Sequence, residues 1–150
     1  MSFIVGARDF SHLLSIRSFV YFLKKNDEIV YVGSTNNGFS RPLSHVGFKD
    51  FNGIEIIECN PSELLEIESY YICNIKPRYN KHPGIGKYIS INEAKRVSKL
   101  IIGDFMTMRL TKSIIENHGV QSVVFQNIVY VDKSAFYDAC NSEARILNDE

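Results

Sequence analysis

Six side chains between residues 21 and 80 are of types that could bind a phosphate or a metal ion or exchange protons. In chain order they are Tyr21, Tyr31, Arg41, His45, Glu68 and Asn80. Arginine offers a planar fork of N–H donors that matches phosphate oxygens, and histidine can donate or accept a hydrogen bond near neutral pH. A carboxylate provides the hard oxygen ligand that Mg²⁺ prefers. The set therefore has the groups that could bind a phosphate beside a metal ion.

Two short β-like runs, at 19–23 and 29–33, would position the tyrosines. The polar residues between them favour a turn, so the runs predict a hairpin. Because strand side chains alternate between faces, such a hairpin could bring Tyr21 and Tyr31 to one surface. Gly33 ends the second run and predicts a structural turn where the backbone could approach a ligand. Tyrosines also simply suit strands, which is the alternative reading of the pair.

The arginine and the histidine lie four residues apart in a predicted helix, and therefore on one face of it. Ser40 is the predicted N-cap of this helix, and Pro42 fits its first turn. An apolar run at 54–58 predicts a third strand covered on both faces. Arg41 and His45 thus belong to the segment between the hairpin and this strand.

Glu68 falls inside the apolar stripe of a second helix, which we expect to start at 60–63 and to end before Pro77. The stripe consists of Leu64, Ile67, Glu68, Tyr71, Ile72 and Ile75. A buried, unpaired carboxylate costs several kcal/mol, so it should have a cation or donors beside it. Two interpretations stay open, a metal ligand and a partly buried glutamate that reaches solvent or a tyrosine. Asn80 follows near the end of the helix.

Residues 1–85 resemble a GIY-YIG nuclease domain. Phe19-Val-Tyr21 stands at the first signature and Tyr31-Val-Gly33 at the second, and the later polar residues follow in the family's order. Phenylalanine replaces the first signature's glycine, and valines replace both isoleucines. The valines conserve apolar character, whereas Phe19 could either alter the backbone approach or pack.

The resemblance implies a role for each of the six residues. In this family the first tyrosine, here Tyr21, assists deprotonation of the attacking water, and Tyr31 positions water or phosphate. Arg41 would stabilise the charge of the transition state, and His45 would hold the network in place. Glu68 would be the only protein ligand of one Mg²⁺ or Mn²⁺ ion per site. Asn80 would support the site.

Residues 86–150 have a different pattern. A capping box at Ser90 starts a predicted helix to about residue 100, a second helix runs to about 118, and 123–131 predict a hairpin. Asp132 is the predicted cap of a last short helix. This order faintly resembles the winged helix-turn-helix modules of excisionases and MerR-type regulators. The alternative is a dimerisation or packing module.

Charge patterning bears on DNA binding. The chain has 17 basic and 17 acidic residues, so attraction to DNA must come from a local patch. Residues 86–112 hold six basic and two acidic side chains. The candidate DNA contacts in this stretch are Lys95, Arg96, Lys99, Arg109 and Lys112. A solvated helix face is the alternative explanation.

The remaining features restrict location and partners. The sequence has no run of about 18 apolar residues, so it predicts no membrane span. Residues 1–18 lack a secretory signal pattern. They are apolar enough for a short helix around Phe10, Leu13 and Leu14 that packs on the domain after it. Three scattered cysteines indicate reduced packing residues and a reducing, cytoplasmic compartment.

The sequence as a whole predicts an α+β protein. We expect a three-stranded antiparallel sheet flanked by helices in residues 1–85, followed by a small helical, winged-helix-like module in 86–150. The expected function is metal-dependent endonuclease cleavage of double-stranded DNA, by a monomer or a homodimer, with no membrane and no small-molecule cofactor beyond the metal. Two alternatives are a DNA-binding regulator that does not cut and a protein-interaction factor.

Overall fold

The computed structural model describes residues 2–4, 10–84 and 86–148. The chain divides into two compact units after Gly84, one residue before the predicted boundary. Both units combine strands and helices, so the α+β class is confirmed.

The first unit is a mixed sheet with helices. Its elements are β1 (Ser2–Ile4), α1 (Phe10–Ser15), β2 (Phe19–Lys25), β3 (Glu28–Thr35), α2 (Ser40–Leu43), β4 (Gly53–Glu58) and α3 (Leu64–Ile75). The strand order is β1-β4-β2-β3. β2 pairs antiparallel with both β3 and β4, which confirms the three-stranded antiparallel sheet. β1 adds a parallel fourth strand beside β4, and the sequence pattern did not predict it.

The core of this unit lies on the tyrosine face of the central strand β2, where residues 19–23 are buried. Phe19 is fully buried, and its ring centroid lies 4.9 Å from that of Phe39. It also makes an edge contact with Tyr21, at 6.3 Å between centroids. The phenylalanine at the signature glycine is therefore a core packing residue.

The segment before β2 differs in part from its prediction. Helix α1 forms at the expected place. Leu14, however, is 61% exposed, so the prediction that this side chain packs on the following domain is wrong. The side chains of Phe10 and Leu13 lie outside the described residues. Ile16, just after the helix, joins the core instead.

Helix α2 is shorter than expected. It spans four residues, Phe39 occupies its N-cap, and the Ser40 hydroxyl donates to the carbonyl of Asn37. The prediction of Ser40 as N-cap is therefore wrong. Hydrogen-bonded turns continue the segment to residue 49, where the amide of Lys49 donates to the carbonyl of His45 over 3.0 Å.

Helix α3 is preceded by a 3₁₀ turn, Pro61–Glu63, so the regular helix starts later than predicted. Glu63 accepts from the amide of Asn60, which ties the start together. The helix ends as predicted, with Lys76 in a left-handed conformation (φ 53°) before Pro77. Leu64 and Ile72 are buried, but Ile75 is 37% exposed and lies outside the buried face.

The second unit has the elements β5 (Tyr88–Ser90), α4 (Ile91–Ile101), α5 (Met108–Asn117), β6 (Ser122–Phe125), β7 (Ile128–Asp132) and α6 (Lys133–Asn148). Its antiparallel sheet has the order β5-β7-β6. The two predicted helices and the hairpin are confirmed. Strand β5 was not predicted, and α6 has 16 residues, so the prediction of a short last helix is wrong.

Local capping explains where these elements begin. The side chain of Ser90 accepts from the amide of Glu93, as its capping-box pattern predicted. Thr107 does the same for α5, and Asp132 accepts from the amide of Ala135 at the start of α6. No helix among the described residues is both long and apolar enough to cross a membrane.

Candidate active site

The hairpin brings the two tyrosines to one face of the sheet, as predicted. Tyr21 pairs with Gly33 and Leu23 pairs with Tyr31, so both phenols project to the same side. Their ring centroids are 6.1 Å apart. Tyr21 is fully buried, whereas Tyr31 is partly exposed to solvent. Tyr31 is therefore the phenol of the pair that a ligand in solution can reach.

Gly33 makes room for these phenols. It lies inside β3, which continues to Thr35, so the prediction of a structural turn at Gly33 is wrong. A Cβ at this position would lie 2.5 Å from the hydroxyl oxygen of Tyr21 and 2.8 Å from Cε1 of Tyr31. Because such contacts are too short for any side chain, only glycine fits opposite Tyr21 without moving a ring.

His45 links the tyrosines to a residue that the sequence did not predict. Its Nε2 lies 2.9 Å from the hydroxyl oxygen of Tyr21, and its ring centroid lies 4.8 Å from that of Tyr31. On its other side, Nδ1 lies 2.9 Å from Nζ of Lys49. The spacing of four residues between His45 and Lys49 was the one sequence signal that could have identified this lysine.

Burial and positive charge set the protonation of this cluster. Desolvation, together with the charges of Lys49 and Arg41, lowers the pKa of His45 to about 4. The imidazole is therefore neutral at pH 7. Burial raises the pKa of Tyr21 and of Tyr31, so both phenols keep their protons at neutral pH.

Arg41 is exposed, and its charge reaches the whole cluster. It helps to lower the pKa of His45 and opposes the rise in the pKa of each tyrosine, so its guanidinium lies within electrostatic range of all three. Within the described part of the chain, no carboxylate lies within 4 Å of Arg41 to form an ion pair. Its N–H donors therefore remain open to an anionic ligand.

Glu68 is half-buried in α3, as its place in the apolar stripe predicted. The hydroxyl of Ser34 donates to its Oε2 over 3.0 Å. Burial raises the pKa of Glu68, and the hydrogen bonds from Ser34 oppose this rise. No pattern in the sequence predicts Ser34, because its contact with Glu68 joins a strand to a distant helix. Glu68 also contributes to the raised pKa of both tyrosines, so it belongs to the same cluster.

The donor set around Glu68 fits a hard divalent cation held by one carboxylate. No lysine or arginine in the described ranges forms an ion pair with Glu68, which accepts a hydrogen bond from Ser34 and on which the charge of Arg41 also acts. No group of three or more His, Cys, Asp or Glu side chains with metal-binding geometry occurs among the residues described. A Mg²⁺ ion keeps several waters and takes substrate phosphate oxygens, so one carboxylate suffices to hold it weakly.

Asn80 supports the site from the edge of the sheet. Its buried side chain accepts from the amide of Val32 and donates to the carbonyl of Val32, both over 2.9 Å. The amide of Tyr79 donates to the carbonyl of Val30 over 3.0 Å. The chain at 79–80 thus pairs with the outer edge of β3 and fixes the strand that holds Tyr31.

The five candidate DNA contacts all lie in the second unit, three on α4 and two on α5. Arg96, Arg109 and Lys112 are exposed, and the other two, Lys95 and Lys99, are half-buried. None of the five forms a salt bridge with another described residue. Arg109 and Lys112 lie three residues apart and share one face of α5.

Comparisons with protein-family models, curated proteins and solved structures found no match to this chain. The function must therefore be argued from the residues of the site.

Proposed function

We propose that the first unit is a metal-dependent endonuclease site of the GIY-YIG type, which hydrolyses phosphodiester bonds in DNA. One observation carries the proposal: Tyr21, Tyr31 and His45 contact one another on one face of the sheet. Arg41 and Glu68, which are distant in sequence, both act electrostatically on the two phenols. The fold alone would not require a guanidinium without an ion-pair partner among the described residues and a half-buried carboxylate that both act on the same two phenols.

Each side chain has a function that suits its surroundings. Glu68 would hold the Mg²⁺ or Mn²⁺ ion, which, when bound, would polarise a phosphate oxygen and lower the pKa of water. Arg41 would bind the phosphate and stabilise the negative charge that develops on it. As water attacks phosphorus, a new P–O bond forms and the bond to one sugar oxygen breaks, with the water losing a proton and the leaving oxygen taking one up. His45, Asn80 and Gly33 keep the phenols and the β3 backbone in place.

The second unit is proposed to recognise double-stranded DNA. Its two helices are followed by a hairpin whose second strand returns to pair with β5, which is the arrangement expected of a winged helix-turn-helix module. In that arrangement α5 would enter a groove with Arg109 and Lys112, and β6–β7 would be the wing. This supports a local basic patch as the source of affinity in a chain without net charge.

The proposal also covers the oligomeric state and the cellular compartment. One site per chain cuts one strand, so a double-strand break would need a homodimer or sequential nicking. All three cysteines, Cys59, Cys73 and Cys140, are free thiols, which supports a reducing, cytoplasmic compartment.

Incubation with supercoiled plasmid and Mg²⁺ tests the proposed activity. Wild type should convert the plasmid to nicked or linear forms, and EDTA should stop the reaction. Glu68→Gln should be inactive, whereas Glu66→Gln should cut like wild type, because Glu66 is exposed on the same helix. Binding without cutting by the wild type would favour a DNA-binding regulator instead, and no binding at all would favour a protein-interaction factor.

A further inference from the structure

Lys49 contacts two residues of the candidate site, His45 and Tyr31. Its Nζ lies 2.9 Å from Nδ1 of His45 and 4.6 Å from the ring centroid of Tyr31. The side chain is partly buried, and no acidic group of the described chain lies within 4 Å of it. Burial and the charge of Arg41 lower the pKa of Lys49, whereas cation–π attraction to the Tyr31 ring favours its charged form. The ammonium group of Lys49 therefore lies against His45 and Tyr31 without forming an ion pair with an acidic residue of the described chain.

The contact with Lys49 determines which nitrogen of His45 carries the proton. An ammonium group has three N–H donors and no acceptor, so Nδ1 of His45 must accept. Since the imidazole is neutral at pH 7, its single proton is then on Nε2. Nε2 lies 2.9 Å from the hydroxyl oxygen of Tyr21. His45 is therefore the donor to Tyr21 and not the acceptor.

The direction of hydrogen-bond donation set at His45 extends from Tyr21 toward Tyr31. Because the Tyr21 oxygen accepts from His45, its hydrogen is available to another acceptor, and Tyr31 is the adjacent phenol. Tyr21 is fully buried and Tyr31 is partly exposed, so Tyr31 is the phenol of this chain of donors that solvent can reach.

We propose that Lys49 is a positioning residue that orients the hydrogen bonds from His45 through Tyr21 to Tyr31 outward, so that Tyr31 offers its hydroxyl hydrogen to a phosphate oxygen. Only the last step, donation to phosphate, rests on the proposed nuclease function. The proposal differs from the role that the family resemblance implies for Tyr21. With its proton on Nε2, His45 cannot accept a proton from Tyr21. Tyr21 therefore donates its hydroxyl hydrogen toward Tyr31, and Tyr31 is the phenol that contacts the substrate.

Nitrogen NMR of the full-length chain labelled with ¹⁵N-histidine tests the orientation directly, because the two imidazole tautomers have different ring-nitrogen shifts. His45→Gln assigns the signals among the four histidines. At neutral pH the wild type should show His45 protonated at Nε2. Lys49→Met should lose this preference, and Lys49→Arg, which keeps an N–H donor, should restore it. Lys25→Met is the control and should resemble wild type, because the partly exposed Lys25 pairs with Asp50 and not with His45.

A wild-type signal from the Nδ1-protonated form, or an unchanged tautomer in Lys49→Met, would overturn the proposal. The plasmid assay then separates this result from the nuclease proposal. If the wild type cuts, Lys49→Met should lower the maximal rate by about 10²-fold, with Lys49→Arg recovering most of it. If the wild type does not cut, the nuclease function fails, while the NMR result still decides the orientation of His45.

Discussion

At the scale of single residues, close contacts determine what the site tolerates. Gly33 faces Tyr21 across the hairpin, and Gly33→Ala would add a methyl group 2.5 Å from the Tyr21 hydroxyl oxygen. Since that ring is fully buried, it cannot move away freely. We expect the free energy of unfolding to fall by about 1–3 kcal/mol, the usual cost of overpacking, and plasmid cleavage to fall with it.

Urea denaturation followed by circular dichroism measures this change. Asn36→Ala, at an exposed position of the following loop, is the matched control and should keep wild-type stability. Equal stability of the Gly33 and Asn36 variants would mean that the phenol moves without cost.

His45 should make stability depend on pH. Its pKa in the folded chain is about 4, below the ordinary value of 6.5, so the unfolded state binds a proton more readily between these values. The free energy of unfolding should therefore decrease as pH falls from about 6.5 to about 4, and His45 should add no slope above that range. Subtracting the pH profile of His45→Gln, measured by urea denaturation, isolates this contribution. A difference profile that is flat, or that rises on acidification, would refute the lowered pKa.

Sequence reasoning identified the residues of the site that have chemically distinctive side chains. Glu68 was conspicuous because a carboxylate interrupted an apolar stripe, and the tyrosines because their strands could be paired from alternation alone. Ser34 and Lys49 were missed, since a serine in a strand and a lysine in a turn-rich segment are ordinary. Their importance comes from the groups they contact across the fold, at Glu68 and His45.

At the scale of elements, the side chain of Asn80 makes the hydrogen bonds at the outer edge of β3 that a neighbouring strand would otherwise make. Asn80→Ala would leave the buried amide and carbonyl of Val32 without this partner. Unsatisfied buried groups cost about 1–3 kcal/mol each, so we expect a loss of at least about 1 kcal/mol in the free energy of unfolding. Asn74→Ala, on the exposed side of α3, should change little.

Thermal denaturation of the two variants provides the comparison. Asn80→Asp keeps an acceptor for the amide of Val32 and loses the donor to its carbonyl, so its melting temperature should lie between those of wild type and Asn80→Ala. Wild-type melting of Asn80→Ala would show that water replaces the side chain without cost.

Elements with a clear period or cap were predictable, and short ones were not. The β2–β3 hairpin, α3 and the two helices of the second unit have strong alternation, stripes or caps. Strands β1 and β5 have three residues each, too few for alternation to appear. Helix α2 was predicted too long because Arg41 and His45 have helical spacing, whereas hydrogen-bonded turns from Ser44 onward give a similar spacing.

At the scale of the whole molecule, the proposed DNA contacts and the proposed cleavage site lie in different units, so their effects should separate. The double variant Arg109→Ala and Lys112→Ala should bind DNA more weakly, and the slope of log affinity against log salt should become less steep by about 2, about 1 for each lost phosphate contact. The metal requirement of cleavage should remain that of wild type.

Fluorescence anisotropy with a labelled duplex at several salt concentrations measures this slope. Lys133→Ala removes an exposed charge from α6 and is the control. A slope unchanged in the double variant would remove α5 from the DNA interface and favour the packing-module alternative for the second unit.

The central claim is that Arg41 and Glu68 act on one phosphate in one site. The most direct test is the initial rate of Mg²⁺-dependent plasmid nicking by Arg41→Ala, Glu68→Gln and the double variant. We predict that each single change lowers the rate by about 10²-fold or more, and that the double variant is scarcely slower than the worse single variant, because groups that act as a unit are not additive. Independent, fully multiplying losses, or wild-type rates in either single variant, would contradict the account.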